Sequence, residues 1–407
     1  MRIRVTATAT VTAGAAVRRG RGRGFRTAAC AALCAAVCTA LLLTGCTASG
    51  GPGGGGGQDR GTGTGTGTTA GKNGDTAPLS GRSGAPRRPV PRGKGSRLPD
   101  DFNGDGYRDL VLNDLVKAPG DIYGDDAGIG IVYGTATARG LDPAVRRLLS
   151  PREHGARVDG VLPSAFDAEA ACDLDGDGFG DLIVTTDPPY DGIGTPPVPL
   201  QILFGGPDGL GAGGDGGRAV VLRIPAKARA GDEWPDHPVC GDFDGDGEMD
   251  LAVTASAGQV SYLRGPFSRT GAPRAASAPI PGGGPVLEAP EPKADVNGDG
   301  YDDLVHSTRA RAPGHSAKGE LLLGGPAGPG RAGGTYRFKA VRFPTAPRLP
   351  SGSGRAVTEL LRAADFTGDG RQDLVTRTHR GERTDLIALY ASGADRPVIT
   401  FSTSIFL

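Results

Sequence analysis

A nine-residue pattern of acids and glycines is written five times in this chain, and it limits what the chain can become. Its second copy, D-L-D-G-D-G-F-G-D, runs from Asp173 to Asp181 and leads into an apolar L-I-V run. The other copies begin at Asp101, Asp242, Asp295 and Asp365, so successive starts lie 72, 69, 53 and 70 residues apart. Recurrence at such intervals marks a repeat architecture, in which each unit buries its apolar face against the next. Up to four carboxylates in nine residues repel one another unless a counter-charge sits among them. A hard divalent cation supplies it: calcium accepts six to eight oxygens in loose geometry, whereas magnesium demands a stricter octahedron. Glycines at positions four and six permit the positive φ angles that fold side chains around a point. One D-G-D-G alone reads as a surface turn. Five copies with acids at one, five and nine and glycines at four and six read as metal loops. They begin like an EF-hand loop, but the closing acid is an Asp at nine rather than a Glu at twelve, and strand-like sequence follows.

The expected Ca2+ ligands are Asp101, Asn103, Asp105 and Asp109 in loop one, and Asp173, Asp175, Asp177 and Asp181 in loop two. They are Asp242, Asp244, Asp246 and Asp250 in loop three, Asp295, Asn297, Asp299 and Asp303 in loop four, and Asp365, Thr367, Asp369 and Asp373 in loop five. Position seven varies without pattern (Tyr107, Phe179, Glu248, Tyr301, Arg371), as expected if only its backbone carbonyl binds. Ligand charge tunes calcium affinity. Loops two and three, with four carboxylates each, are therefore expected to bind tightest, and loop five, with a hydroxyl at position three, weakest.

Charge divides the chain. It carries 45 basic and 45 acidic residues, but residues 1–99 hold 15 of the former and 2 of the latter. The remaining 30 bases and 43 acids give the body a balance of −13, and 17 of those acids are loop carboxylates. Such a body is a poor partner for nucleic acid. Residues 1–26 contain seven arginines and no acid, and an apolar small-residue stretch follows from Thr27 to Leu43. That stretch is short for a membrane span and reads as a secretory signal. It ends in L-T-G-C, which resembles the bacterial lipobox and implies cleavage before Cys46 and lipid on its sulfur; a plain signal peptide is the alternative. The sequence after Cys46 is rich in Gly, Thr and Pro and almost without large apolar residues, so it cannot bury a core. The expected organisation is a signal peptide at 1–45, a disordered tether at 46–97 and a repeat domain at 98–407. The domain would be displayed on the outer face of the membrane by its lipid, or be extracellular. Of six cysteines only Cys172 and Cys240 remain in the domain. They stand one and two residues before their loops, on positions of opposite parity along a strand. A disulfide and two buried thiols both stay open.

Each unit continues with strands. The loop leads into Asp109–Asn113, Asp181–Thr185, Asp250–Thr254, Asp303–His306 and Asp373–Thr376. Second strands are expected at Ile129–Tyr133, Leu200–Phe204, Gln259–Leu263, Glu320–Leu323 and Leu386–Tyr390, and third strands at Arg218–Ile224 and Arg396–Ser402. Four short antiparallel strands per unit predict an all-β fold, a β-propeller of four-stranded blades with five repeats. Val357–Arg362 is the best short helical candidate. The D-x-[DN]-G-D-G-x-x-D-L loop followed by an F-G-G-P turn, as at Phe204–Pro207, resembles the FG-GAP (VCBS-type) repeat of integrin α-chain propellers and many bacterial surface proteins. The resemblance covers about 98–407. It implies a calcium-loaded propeller with metal loops on one rim and binding surfaces on the other. Three features depart from that pattern: five repeats rather than seven, Thr367 in loop five, and P-R-R-P-V-P-R, poor strand material, ahead of loop one.

Catalytic signatures are missing: there is no G-x-S-x-G, H-E-x-x-H or P-loop. The five histidines lack a recurring partner, and Glu153–His154 and Asp236–His237 read as surface loop. Trp234, beside Asp232 and Glu233, reads as core rather than as a sugar platform. The sequence therefore points to a surface binding and adhesion module for a protein or glycan ligand, without catalysis. A lyase-like polysaccharide-processing enzyme on the same fold is the alternative, and an envelope assembly partner a third reading.

Overall fold

The computed structural model describes residues 86–118, 120, 128–187, 199–212, 217–232, 234–282 and 284–407. The expected signal peptide, Cys46, the tether up to residue 85 and Glu233 lie outside them. The described residues form five antiparallel sheets in chain order. Blade one holds β1 (Leu110–Leu112), β2 (Ile129–Gly134) and β3 (Leu141–Leu149). Blade two holds β4 (Ala165–Cys172), β5 (Asp181–Asp187), β6 (Gln201–Leu203) and β7 (Val220–Val221). Blade three is β8 (Val239–Gly241), β9 (Asp250–Ala255), β10 (Gln259–Arg264) and β11 (Ala275–Ala276). Blade four is β12 (Val286–Glu288), β13 (Leu304–Ser307), β14 (Ala317–Leu323) and β15 (Arg331–Phe338), and blade five is β16 (Val357–Ala364), β17 (Asp373–Arg380), β18 (Thr384–Tyr390) and β19 (Ile399–Phe401). The acid loops join the first and second strands of blades two to five and precede β1 in blade one. The fold is an all-β, five-bladed propeller.

The strands after the loops are near-continuous apolar runs because a neighbouring blade covers each face: all six residues of β2 and all six of β9 are buried. The core accordingly lies between blades rather than within them. Phe102, Tyr133 and Phe166 join blades one and two, Leu174, Leu251 and Phe267 join two and three, and Phe243, Tyr262 and Leu304 join three and four. Phe366, Leu389 and Phe401 pack against Leu110 and Leu141 to join five and one. Blades four and five share no such cluster among the described residues. Blade four's remaining apolar group is small and its own: Val305, Leu321 and Phe338, with Ala317, Leu323 and Tyr336 at its edge. Beside it the Arg311 side chain is buried between Glu288 (2.9 Å) and Glu291 (2.8 Å), its guanidinium 4.2 Å from the Phe338 ring centre.

Several expectations need correcting. Blade one has three strands, not four, because the proline-rich chain ahead of loop one runs as an extended strap. Val357–Arg362 is strand, not helix: β16 pairs with β17 from Val357 opposite His379 to Ala364 opposite Asp373, with a bulge at Leu360/Arg362. Trp234 is 41% exposed rather than core. His154 is buried on a helical turn, Pro151–His154, capped by Ser150, instead of lying on a surface loop. The third strands shrink to Val220–Val221 and Ile399–Phe401.

Cys172 and Cys240 form a disulfide with Cα atoms 6.3 Å apart. Their opposite parity is what the bridge requires. Successive blades present opposite faces to each other, so a residue on the far face of β4 meets one on the near face of β8. Ring closure uses a C-terminal 3-10 helix, Thr403–Phe406. The Thr403 hydroxyl accepts from Val116 N (2.8 Å) and the Ile405 carbonyl accepts from Arg146 Nε (3.0 Å). Phe406 lies over Gly130, where a Cβ would come within 2.7 Å of its ring.

Candidate metal centres

The five loops share one hydrogen-bond scheme. At position one, a carboxylate accepts from backbone amides of the following turn: Asp173 from Gly176 (2.8 Å), Asp177 (3.1 Å) and Gly178 (2.8 Å), and Asp365 from Gly368, Asp369 and Gly370 at 2.7–3.1 Å. The position-five carboxylate accepts from the amide of position seven in every copy, from Tyr107, Phe179, Glu248, Tyr301 and Arg371. This nest needs positive φ at positions four and six, as at Gly176 (75°) and Gly178 (88°).

Position nine does something that spacing alone did not assign. Asp109, Asp181, Asp250, Asp303 and Asp373 are at most 2% exposed. Each accepts the amide of position two on one oxygen, from Phe102, Leu174, Phe243, Val296 and Phe366. Each accepts on the second oxygen an amide of the turn that ends the neighbouring antiparallel strand, from Gly134, Gly205, Gly265, Gly324 and Ser392. The position-nine acid is therefore a staple between loop and F-G-G-P-type turn as well as a candidate ligand. In blade two glycine is needed there because a Cβ on Gly205 would overlap the Gly180 carbonyl, whereas blade five carries Ser392 at this place. F-G-G-P, L-R-G-P and L-G-G-P recur after Asp181, Asp250 and Asp303, but nothing in those residues marks the amide that makes the bond.

Loop also binds to loop around the ring. Gly180 N donates to Asp101 O (2.9 Å), Gly206 N to Phe102 O (3.1 Å), Phe267 N to Leu174 O (2.6 Å), Asp302 N to Asp242 O (2.9 Å) and Gly325 N to Phe243 O (3.0 Å). Asp302, not among the expected ligands, also takes Asp242 N on its carboxylate (2.9 Å). No such bond reaches Asp295 or Val296 among the described residues. None reaches Asp365 or Phe366 either; at position two Phe102, Leu174, Phe243 and Phe366 are buried, and Val296 is 43% exposed.

The expected ligands of loops two and three converge. One oxygen each from Asp173, Asp175 and Asp177 lies within 4.8 Å of the others, and the same holds for Asp242, Asp244 and Asp250. Position three is the informative place. Asn103 Oδ1, Asp175 Oδ1, Asp244 Oδ1 and Thr367 Oγ1, together with Asp242 Oδ1 at position one, are buried without a hydrogen-bond partner among the described residues. Buried orphan oxygens are costly, and the same orphan recurs at position three in four of the five loops. In loop four Asn297 Oδ1 instead accepts from Asp299 N (3.0 Å).

Electrostatics agree. Burial pushes Asp175 and Asp250 up to about 6, and raises Asp109 and Asp181 well above the usual carboxylate range. Amides of its own loop, Gly300 first, hold Asp295 below that range. Arginines meet part of the demand: Arg269 pairs with Asp175 and Asp177, Arg264 with Asp244 (3.2 Å), Arg274 with Asp246 and Arg371 with Asp369 (2.9 Å). Loop one has no arginine among the described residues but a cover. Gly93 N and Lys94 N donate to the carbonyls of Asn103 (3.0 Å) and Gly104 (2.9 Å), and Ser96 N donates to Gly178 O (2.7 Å) in loop two. Asn103 Nδ2 donates to Pro91 O (2.8 Å). Residues 86–97, placed by the sequence at the end of the tether, thus lie along the rim over loops one and two. The oxygen donor set and its orphans fit a hard divalent cation.

Residues 239–263, which span β8, loop three and most of β10, match the family model described as FG-GAP repeat. No curated protein matches the chain. The segment 239–263 is thus an FG-GAP repeat match, set in a five-bladed β-propeller whose other four loops share the design of the matched one.

Proposed function

We propose that this protein is an exported, lipid-anchored, calcium-binding propeller that acts as a binding and adhesion module at the cell surface and performs no catalysis. The observation that carries the calcium reading is the buried, partnerless oxygen at position three of four loops. An ion bound there would take up that oxygen with the carboxylates of positions one and five, and would relieve the acids that burial has raised. Its contribution is electrostatic and structural: it fixes the rim on which neighbouring loops bond to each other. Loops two and three bind tightest on ligand charge, although a guanidinium must leave each of them first. Loop five, with Thr367, binds weakest. The export and anchoring part of the reading is supported by the arginine-rich start, the apolar stretch and L-T-G-C ending at Cys46. The partner is a cell-surface protein or glycan.

Calorimetric titration with calcium and melting in EDTA test this reading. A site with a dissociation constant of ~0.1 mM contributes about 1.4 kcal/mol in ~1 mM calcium, so several sites together raise the melting temperature clearly. Absence of binding heat together with an EDTA-insensitive melt sinks the calcium reading. Release of unsaturated sugars from an acidic polysaccharide would sink the non-catalytic one.

A further inference from the structure

From Leu321 to Thr358 the chain carries six cations and not one acid, inside a body whose balance is −13. Arg331, Arg337, Lys339, Arg342, Arg348 and Arg355 are all exposed, along β15 and the connection from blade four to blade five. Only Arg331 has an ion-pair partner, Asp299 at 3.8 Å; the other five form no ion pair among the described residues. The nearest acids are committed elsewhere: Glu320 accepts from Thr335 Oγ1 (3.2 Å), and Glu359 faces Arg377 (3.7 Å). The register adds a second, independent sign. Exposed Lys318 on β14 stands directly opposite exposed Arg337 on β15, an arrangement of like charges that weakens a sheet.

We propose that the outer edge of blade four and the connection that follows it bind a linear polyanion bearing carboxylate or phosphate groups. The inference rests on the binding-module reading and supplies its ligand class. A polyanion relieves the Lys318–Arg337 repulsion and the five unpaired cations at once. The acidic remainder of the domain repels it and so steers it to this edge. Length favours a polymer over a single sugar acid, since the eight residues of β15 alone extend over roughly 27 Å at about 3.4 Å each.

The test uses the full chain at 50 mM salt, titrated with fluorescein-labelled polygalacturonate and with labelled inorganic polyphosphate. Wild-type protein is expected to bind at least one, and which one binds tighter tells carboxylate from phosphate. Combining Arg337→Gln, Lys339→Gln, Arg342→Gln and Arg348→Gln is expected to weaken binding at least tenfold with a melting temperature no lower than that of wild type. Arg223→Gln with Lys227→Gln, which removes two exposed cations beside blade two, leaves binding as in wild type. Counter-ion release by four contacts predicts roughly 50-fold weaker binding at 200 mM salt. The proposal is overturned if neither polymer binds, if the quadruple variant binds as well as wild type, or if the blade-two control loses as much. Capture by phosphatidylglycerol vesicles alone overturns it in favour of a membrane surface. A calcium titration of the same protein reports on the loops separately, so failure here is distinguishable from failure of the calcium reading.

Discussion

Glu169 sits at the bulge in β4, where Ala168 and Ala170 pair with Val184 and Ile183. Water reaches it, yet the surrounding protein and then the charge of Asp236 push it up to about 7. A carboxyl raised in the folded state binds more protons there than when unfolded between about 4.5 and about 7, so its ionisation lowers stability as pH rises through that window. Glu169→Gln is therefore expected to raise the melting temperature at pH 8 and leave it unchanged at pH 4; equal shifts at both would exclude this account. Thr367 is the second informative residue. Its hydroxyl is buried without a hydrogen-bond partner among the described residues, at the place that Asn103, Asp175 and Asp244 hold in loops one to three. Thr367→Asp should strengthen calcium binding at that loop about tenfold by calorimetry, with little change in the melt of the EDTA-treated protein. That acids would crowd together in loops two and three was legible from spacing alone. The second duty of Asp109, Asp181, Asp250, Asp303 and Asp373 was not, because its partners are backbone amides about twenty residues away that carry no side-chain signature.

The strap ahead of loop one shows how an element can be misjudged from composition. Proline and arginine between residues 86 and 97 read as tether, and they form no strand; their amides nevertheless bond to a rim whose carbonyls need donors. A Cβ on Gly93 would overlap the Gly104 carbonyl, so Gly93→Val should lift the strap without touching any strand. Trypsin cleavage after Arg92 and Lys94 is expected to be slow in wild type with calcium and at least tenfold faster in the variant; identical rates would show that the strap is not held by these bonds. β16 was misread for a different reason. Val357, Leu360 and Leu361 have helical spacing, but pairing with β17 decides the matter, as tertiary context commonly does. The parity of Cys172 and Cys240 left their bridge open, because parity along a strand means something different across two blades than within one sheet. The bridge closes a sequence separation of 68 residues, which by loop entropy contributes about 4 kcal/mol.

Across the whole ring the joints are unequal. Four of the five blade-to-blade joints carry an apolar cluster, while the joint between blades four and five has none among the described residues and leaves Val296 exposed; blade five meets the connection from blade four through polar bonds, Tyr390 Oη donating to Thr345 O (2.9 Å) and Arg380 Nη1 to Pro350 O (2.7 Å). Regions with little buried apolar area open first. Hydrogen exchange in low denaturant is expected to release β16 amides before those of β4 and β9, and simultaneous release would show a uniform ring. Repeat number and blade type could be read from the loop spacing. The weak joint could not, because it depends on which face of each strand the next blade covers. Thr403–Phe406 completes the apolar face of blade one, contributed some three hundred residues earlier in the chain. Blade one must therefore wait, with Leu110, Leu141 and Gly130 uncovered, until synthesis has delivered that turn. Folding of this domain accordingly cannot be completed blade by blade as the chain emerges, and a nascent chain stalled before blade five should be a substrate for chaperones rather than a smaller stable propeller.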